Sequence, residues 1–117
     1  MITVQTRLEG RARLFTLSGQ EADPGLLASV LDGIAVVLDD GDRAVVDLTP
    51  LTLTDRVGAA PVFAGIAHRL GGTRIRLVCA SAQLRDDWRR QYGLPVFPTV
   101  AAALQDAPRE RLAATRN

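Results

Sequence analysis

Residues 43–48 read Arg-Ala-Val-Val-Asp-Leu, a short and mostly apolar run set between turn formers. Asp39-Asp40-Gly41-Asp42 precede it and Thr49-Pro50 follow. A run of this kind suits a central strand buried on both faces, as in parallel sheets whose two sides are covered by helices. The rest of the chain must therefore supply those helices and the neighbouring strands.

The flanking patterns do so. Residues 2–8 alternate, with β-branched Thr and Val, and read as a strand; residues 12–18 read as a second, carrying Leu14, Thr16 and Ser18 on one face. Glu9-Gly10-Arg11 joins them as a hairpin, and Gly19 is expected to end it. Asp23-Pro24 then opens a helix, because Asp caps free N–H groups and Pro at the first helical position loses no bond. Leu26, Leu27, Val30, Leu31, Ile34, Val37 and Leu38 follow at helical spacing as one apolar stripe. Beyond Pro50, Leu51-Thr52-Leu53-Thr54-Asp55 leads to a second helix with Val62, Phe63, Ile66, Ala67 and Leu70 on one face, stopped by Gly71-Gly72. Residues 73–79 read as a strand, and Ser81 caps a third helix with Leu84 and Trp88 one turn apart. Asp86 is spaced to pair with Arg89 or Arg90. Val96-Phe97 is a short extended segment, and Thr99 caps a last helix through Leu104.

The order β-β-α-β-α-β-α-(β)-α is that of an α/β fold: a mixed, mostly parallel sheet of four to five strands, about four helices and an opening β-hairpin. At 117 residues the chain is long enough for one domain, which buries about two thirds of the surface its unfolded chain exposes. That domain is expected over residues 1–105, and residues 106–117, which lose periodicity, are expected to be a flexible C-terminal tail.

Composition narrows the chemistry. All fourteen basic residues are arginine, so Schiff-base and P-loop chemistry by lysine is excluded. A single cysteine, Cys79, excludes an internal disulfide and any multi-cysteine zinc site, and a single histidine, His68, excludes a His-rich metal site. A net charge of +1 argues against a nucleic-acid partner. The charged, alternating opening is unlike a signal peptide and no stretch is apolar enough for a membrane span, so the expectation is a cytoplasmic protein without a membrane partner and with Cys79 as a free thiol.

Several segments, in register, resemble the STAS domain of bacterial anti-sigma factor antagonists. Residues 43–49 resemble the family's central strand, which ends in an Asp-Leu-Ser type sequence. Leu53-Thr54-Asp55-Arg56-Val57-Gly58 falls where the family carries Asp-Ser-Ser/Thr-Gly; residues 72–78 resemble its next strand, Tyr92-Gly93-Leu94 its Thr-Gly-Leu, and residues 97–104 its closing strand and helix. The resemblance implies a STAS-like fold and a transcription-regulating, non-enzymatic module with no cofactor. It further implies an anti-sigma factor, a histidine-kinase-like ATPase, as partner. In the family that partner phosphorylates the second hydroxyl residue of the motif, and the added charge of about −1.5 to −2 breaks the docking surface.

Here Asp55 and Gly58 match the motif, but Arg56 and Val57 stand at the two hydroxyl positions. Valine cannot accept a phosphoryl group, so the usual phosphorylation is expected to be absent. Thr54 is the nearest other hydroxyl, more simply a strand-end residue than a displaced phosphosite. The partner-binding residues implied are Thr54, Asp55, Arg56, Val57 and Gly58, with Asp23 from the displaced acidic loop Gly19-Gln20-Glu21-Ala22-Asp23. Asp55 also suits a plain helix cap, contributing about 1 kcal/mol. Pro61 falls inside the following helix, where it removes one bond and is expected to delay or kink the first turn. Trp88 reads as packing, His68 as a solvated surface residue, and Arg85, Arg89 and Arg90 as a solvated helix face diluted by Asp86 and Asp87. A second class of function stays open: a STAS-like scaffold or oligomer-forming regulatory subunit with no sigma-pathway partner, for which a homodimer is one arrangement. An enzyme would need an acid, base and nucleophile set, and no motif supplies one.

Overall fold

The computed structural model describes residues 2–10, 12–21, 24–38, 42–54, 56–70 and 74–105. In chain order they form β1 (Ile2–Glu9), β2 (Ala12–Glu21), α1 (Pro24–Val37), β3 (Arg43–Asp47), β4 (Leu51–Leu53), α2 (Arg56–Arg69), β5 (Ile75–Val78), α3 (Ala82–Tyr92) and β6 (Val96–Phe97). A last helical stretch, α4, covers residues 100–105. The expected tail, residues 106–117, lies outside the described residues.

The apolar run at 43–47 has a strand on each side. The sheet order is β1-β2-β3-β5-β6, with β4 paired to β2 beyond the end of β3. Only β1–β2 is antiparallel; β2–β3, β2–β4, β3–β5 and β5–β6 are parallel. This is the mixed, mostly parallel sheet with an opening hairpin that the order of elements implies.

Alternation along the strands sorts side chains onto two unequal faces. Phe15, Leu17, Ala44, Val46, Ile75, Leu77 and Val96 point to one side, where α1, α2 and α3 cover them with Leu27, Leu31, Phe63, Ile66, Leu84 and Trp88. Phe63 and Trp88 meet with ring centroids 5.3 Å apart, so Trp88 is core, as its spacing implies. The opposite face holds Ala12, Leu14, Val45 and Val78 under Ala103, with Phe97, Val100 and Leu104 around them. Arg76 belongs to this second face by alternation. It is only 6% exposed, and its Nη1 donates to the Ala103 carbonyl of α4 at 3.3 Å.

The caps follow the sequence. Ser81 Oγ accepts the Leu84 N–H at 3.3 Å, and Thr99 Oγ1 accepts the Ala102 N–H at 3.1 Å. Gly93 ends α3 at φ 64°, donating to the Arg89 carbonyl at 2.9 Å, while the buried Leu94 donates to that of Trp88 at 3.4 Å. A left-handed residue is needed there, and glycine adopts that conformation without the Cβ penalty.

Four expectations are corrected. β2 does not stop at Gly19 but runs to Glu21, because β4 pairs with Gly19–Glu21 and supplies backbone partners there. The same pairing makes residues 51–53 a strand, giving six where four to five were expected. The α1 stripe is narrower than its spacing implies: Leu27, Leu31 and Ile34 are buried, whereas Leu26 and Val37 are exposed at its two ends. Arg85 and Arg89 do not form a merely solvated face and do not turn to Asp86. Arg85 Nη1 donates to the carbonyls of Cys79 (2.8 Å) and Ala80 (2.9 Å), and Arg89 Nη2 donates to that of Val96, with its guanidinium 5.6 Å from the Phe97 ring centroid. Both arginines thus pin α3 to the ends of β5 and β6. The Asp23 cap, the Gly71-Gly72 stop and residue 73 lie outside the described residues.

Phe63→Ala removes the ring against Trp88 and should cost about 3–5 kcal/mol of stability. Urea denaturation followed by fluorescence checks this, because Trp88 is the only tryptophan.

Candidate functional site

The junction between β4 and α2 is positioned by one extra residue. β2 pairs with β3 up to Thr16 opposite Asp47, and with β4 from Gly19 opposite Leu51. Three steps along β2 therefore face four along the other side, which is the arrangement of a β-bulge. Asp47 Oδ1 accepts the Thr49 N–H at 3.0 Å, and Leu51 N–H donates to the Leu48 carbonyl at 3.0 Å, so the surplus is taken up in a turn over Thr49-Pro50. The offset reverses the alternation. Leu51 and Leu53 join the helix-covered core, while Thr52 and Thr54 are exposed.

The structure gathers Thr54, Arg56, Val57 and Gly58 at this junction. Thr54 and Arg56 are exposed, Gly58 is half-buried, and Val57 is 82% exposed on the first turn of α2. Asp55 and Asp23 lie outside the described residues. The strands that lead toward them end side by side, with Glu21 opposite Leu53. α2 starts at Arg56, ahead of Pro61, so the proline sits within the helix and does not delay it. It deprives the Val57 carbonyl of its usual N–H four residues on.

The first turn of α2 has no acidic residue and opens on Arg56, whereas its last turn carries His68 and Arg69. Cations are favoured at the C-terminus of a helix and disfavoured at the N-terminus. Helix stability therefore accounts for Arg69 and not for Arg56. Val57 is likewise unexplained by the core, since Ala59, Ala60, Phe63, Ile66 and Ala67 make the buried face of the helix.

Between the start of α2 and α3 lies an open groove of about 120 Å³, with Trp88 at its base. Arg56 and Val57 flank it on one side, and Asp87, Gln91 and Tyr92 on the other. Asp87 and Gln91 are four apart and so share a helix face. Reading the sequence for function missed them because that spacing does not reveal which neighbour the face meets. The surface thus offers a cation, a carboxylate, an amide and the exposed apolar parts of Val57 and Tyr92. Such a set has the chemistry to dock a protein surface.

Elsewhere, His68 is exposed, and Cys79 is half-buried with its N–H donating to the Phe97 carbonyl at 2.9 Å. Among the described residues, no group of three or more His, Cys, Asp or Glu is arranged to hold a metal ion, and no helix is long and apolar enough to cross a membrane.

No protein-family model and no curated protein matches the chain. Solved structures do. The crystal structure of an anti-sigma factor antagonist from Mycobacterium paratuberculosis shares the fold at TM-score 0.67 and 19% identity, over 91% of this chain and 93% of that one. An antisigma-factor antagonist STAS domain from Rhodobacter sphaeroides aligns over 67% of this chain and 84% of its own, at TM-score 0.44 and 16% identity. The first of these likenesses establishes that the chain has the STAS fold.

Because Arg56 and Val57 are exposed, Val57→Ser should leave stability within about 0.5 kcal/mol of wild type, and Arg56→Glu, which puts an anion at the start of α2, should not lower it. Thermal unfolding of the two variants measures this. A larger loss would mean that these side chains serve the fold.

Proposed function

We propose that this chain is a non-enzymatic regulatory module that binds an anti-sigma factor of the histidine-kinase-like ATPase class in the cytoplasm. It docks through the β4–α2 junction and the first turn of α2, without the usual phosphorylation. The observation that carries the reading is Val57: a highly exposed, non-nucleophilic side chain where the resembled family places its acceptor hydroxyl, on a STAS fold that matches an antagonist over nearly the whole of both chains. Arg56 beside it presents a positive charge to the partner. Asp55 and Asp23 belong to the same surface in this reading, and Asp87, Gln91 and Tyr92 extend it onto α3.

The physical consequence concerns regulation. A phosphorylated antagonist is released because about −1.5 to −2 charges arrive on a buried contact. With valine at that position no such charge can be installed there, so binding is constitutive and follows protein abundance.

Incubation with an anti-sigma kinase of this class and ATP should leave the mass of the wild-type protein unchanged, and Val57→Ser should gain one phosphate. Stoichiometric phosphate on residues 54–57 of the wild type would overturn the constitutive reading, and Thr54→Ala would then test whether Thr54 is the acceptor. Titration calorimetry with the same partner reads the docking site. Arg56→Glu and Val57→Asp should each weaken binding about tenfold or more, the loss typical of truncating a contact worth more than 1 kcal/mol. Unchanged affinity in both would place the interface elsewhere.

A further inference from the structure

β1 is the long free edge of the sheet. It heads the strand order, spans Ile2–Glu9, and pairs with β2 without a break from Ile2 opposite Gly19 to Glu9 opposite Ala12. Residues 3–8 are all exposed. Its other edge faces no strand among the described residues, and it carries neither a proline nor a bulge, two of the devices that commonly blunt an edge. The opposite border, β6, is only Val96–Phe97.

β1 is also two-faced. Val4 and Thr6 lie opposite Leu17 and Phe15 of the helix-covered core, which places Ile2, Val4, Thr6 and Leu8 on the helix side and Thr3, Gln5, Arg7 and Glu9 on the other. The helices do not reach the end of this apolar row. Leu8 is 70% exposed, and Val37, the last residue of α1, is 49% exposed. The two line one open groove with Thr6, Arg13 and Phe15. Val37 belongs to a helical stripe whose spacing implies burial, yet nothing among the described residues covers it fully.

We propose that a second copy of this chain pairs with β1 in antiparallel fashion, joining the two sheets across a two-fold axis and covering Leu8 and Val37. The identical strand is the occupant because its faces and charges fit themselves. In a two-fold antiparallel pair, like faces meet when the numbers of opposed residues sum to an even value. Centred on Gln5, Ile2 meets Leu8 and Val4 meets Thr6 on the helix side, while Thr3 meets Arg7 on the other. Centred on Thr6, Val4 meets Leu8, Gln5 meets Arg7 and Thr3 meets Glu9. Neither register opposes like charges, and the Arg7–Glu9 ion pair within each copy (3.0 Å) is undisturbed. A register centred on Arg7 is excluded, since it sets Arg7 against Arg7. This surface is separate from the proposed docking site. Leu8 lies opposite Arg13, about 20 Å along β2 from Gly19, where β4 joins.

Sedimentation equilibrium of the wild type should show a monomer–dimer equilibrium, and Leu8→Arg should raise its dissociation constant about tenfold or more. Circular dichroism confirms that the variant is folded. In a Cys79→Ala background, Gln5→Cys or Thr6→Cys should form a disulfide-linked dimer on mild oxidation, according to the register. A wild type that stays monomeric up to about 100 μM overturns the proposal. So does a dimer that Leu8→Arg leaves intact, or one in which neither cysteine cross-links. None of these results bears on anti-sigma factor binding, which is read with a different partner and different residues.

Discussion

The structure depends on β2 being bonded over most of its length on one edge and twice on the other. β1 pairs with it antiparallel from Ile2 to Glu9, and β3 and then β4 pair with it parallel on the opposite side. Parallel pairing requires a crossover, and α1 makes the one between β2 and β3. α2, between β4 and β5, makes the next, and its buried face packs on the same side of the sheet. Three helices therefore crowd one face, and the other is left to α4 and to Arg76. A buried guanidinium must find acceptors, and the carbonyl of Ala103 near the end of α4 supplies one.

This asymmetry decides where function can lie. The helix-covered face is filled by packing, with the Phe63–Trp88 contact between α2 and α3. What remains exposed near the start of α2 is a short sequence whose side chains neither fill the core nor stabilise the helix. Arg56 opposes the helix dipole, and Val57 stands in solvent. Features that cost stability without a structural return are the ones most readily explained by a partner.

Much of this was legible in the sequence. The doubly buried strand at 43–47, the caps at Ser81 and Thr99 and the burial of Trp88 each follow from local chemistry that tertiary structure leaves in place. The elements that were not legible depend on partners distant in sequence. Residues 51–53 become a strand only because residues 19–21 extend to meet them, and no local pattern announces that. The ends of α1 carry leucine and valine at core spacing, but how far a neighbour reaches over Leu26 and Val37 is not written in the helix itself. Arg85 and Arg89 look like surface charges until α3 is laid against the carbonyl ends of β5 and β6. At the candidate site, Arg56 and Val57 could be found because they depart from a motif. Asp87, Gln91 and Tyr92 could not, because they join the site only through the packing of α3 beside α2.

The turn at Thr49-Pro50 has a consequence for how this surface can change over evolutionary time. Because the surplus residue is taken up in that turn, the pairing of Gly19 with Leu51 fixes which way the segment from Leu51 onward faces. Arg56 or Val57 can be exchanged one at a time, and the exposed surface changes by small steps. Loss of a single codon between Asp47 and Leu51 would leave three steps facing three, so Leu51 and Leu53 would still turn to the core and only the turn itself would be lost. The β4–α2 junction is free to vary in composition while its pairing against β2 is held fixed.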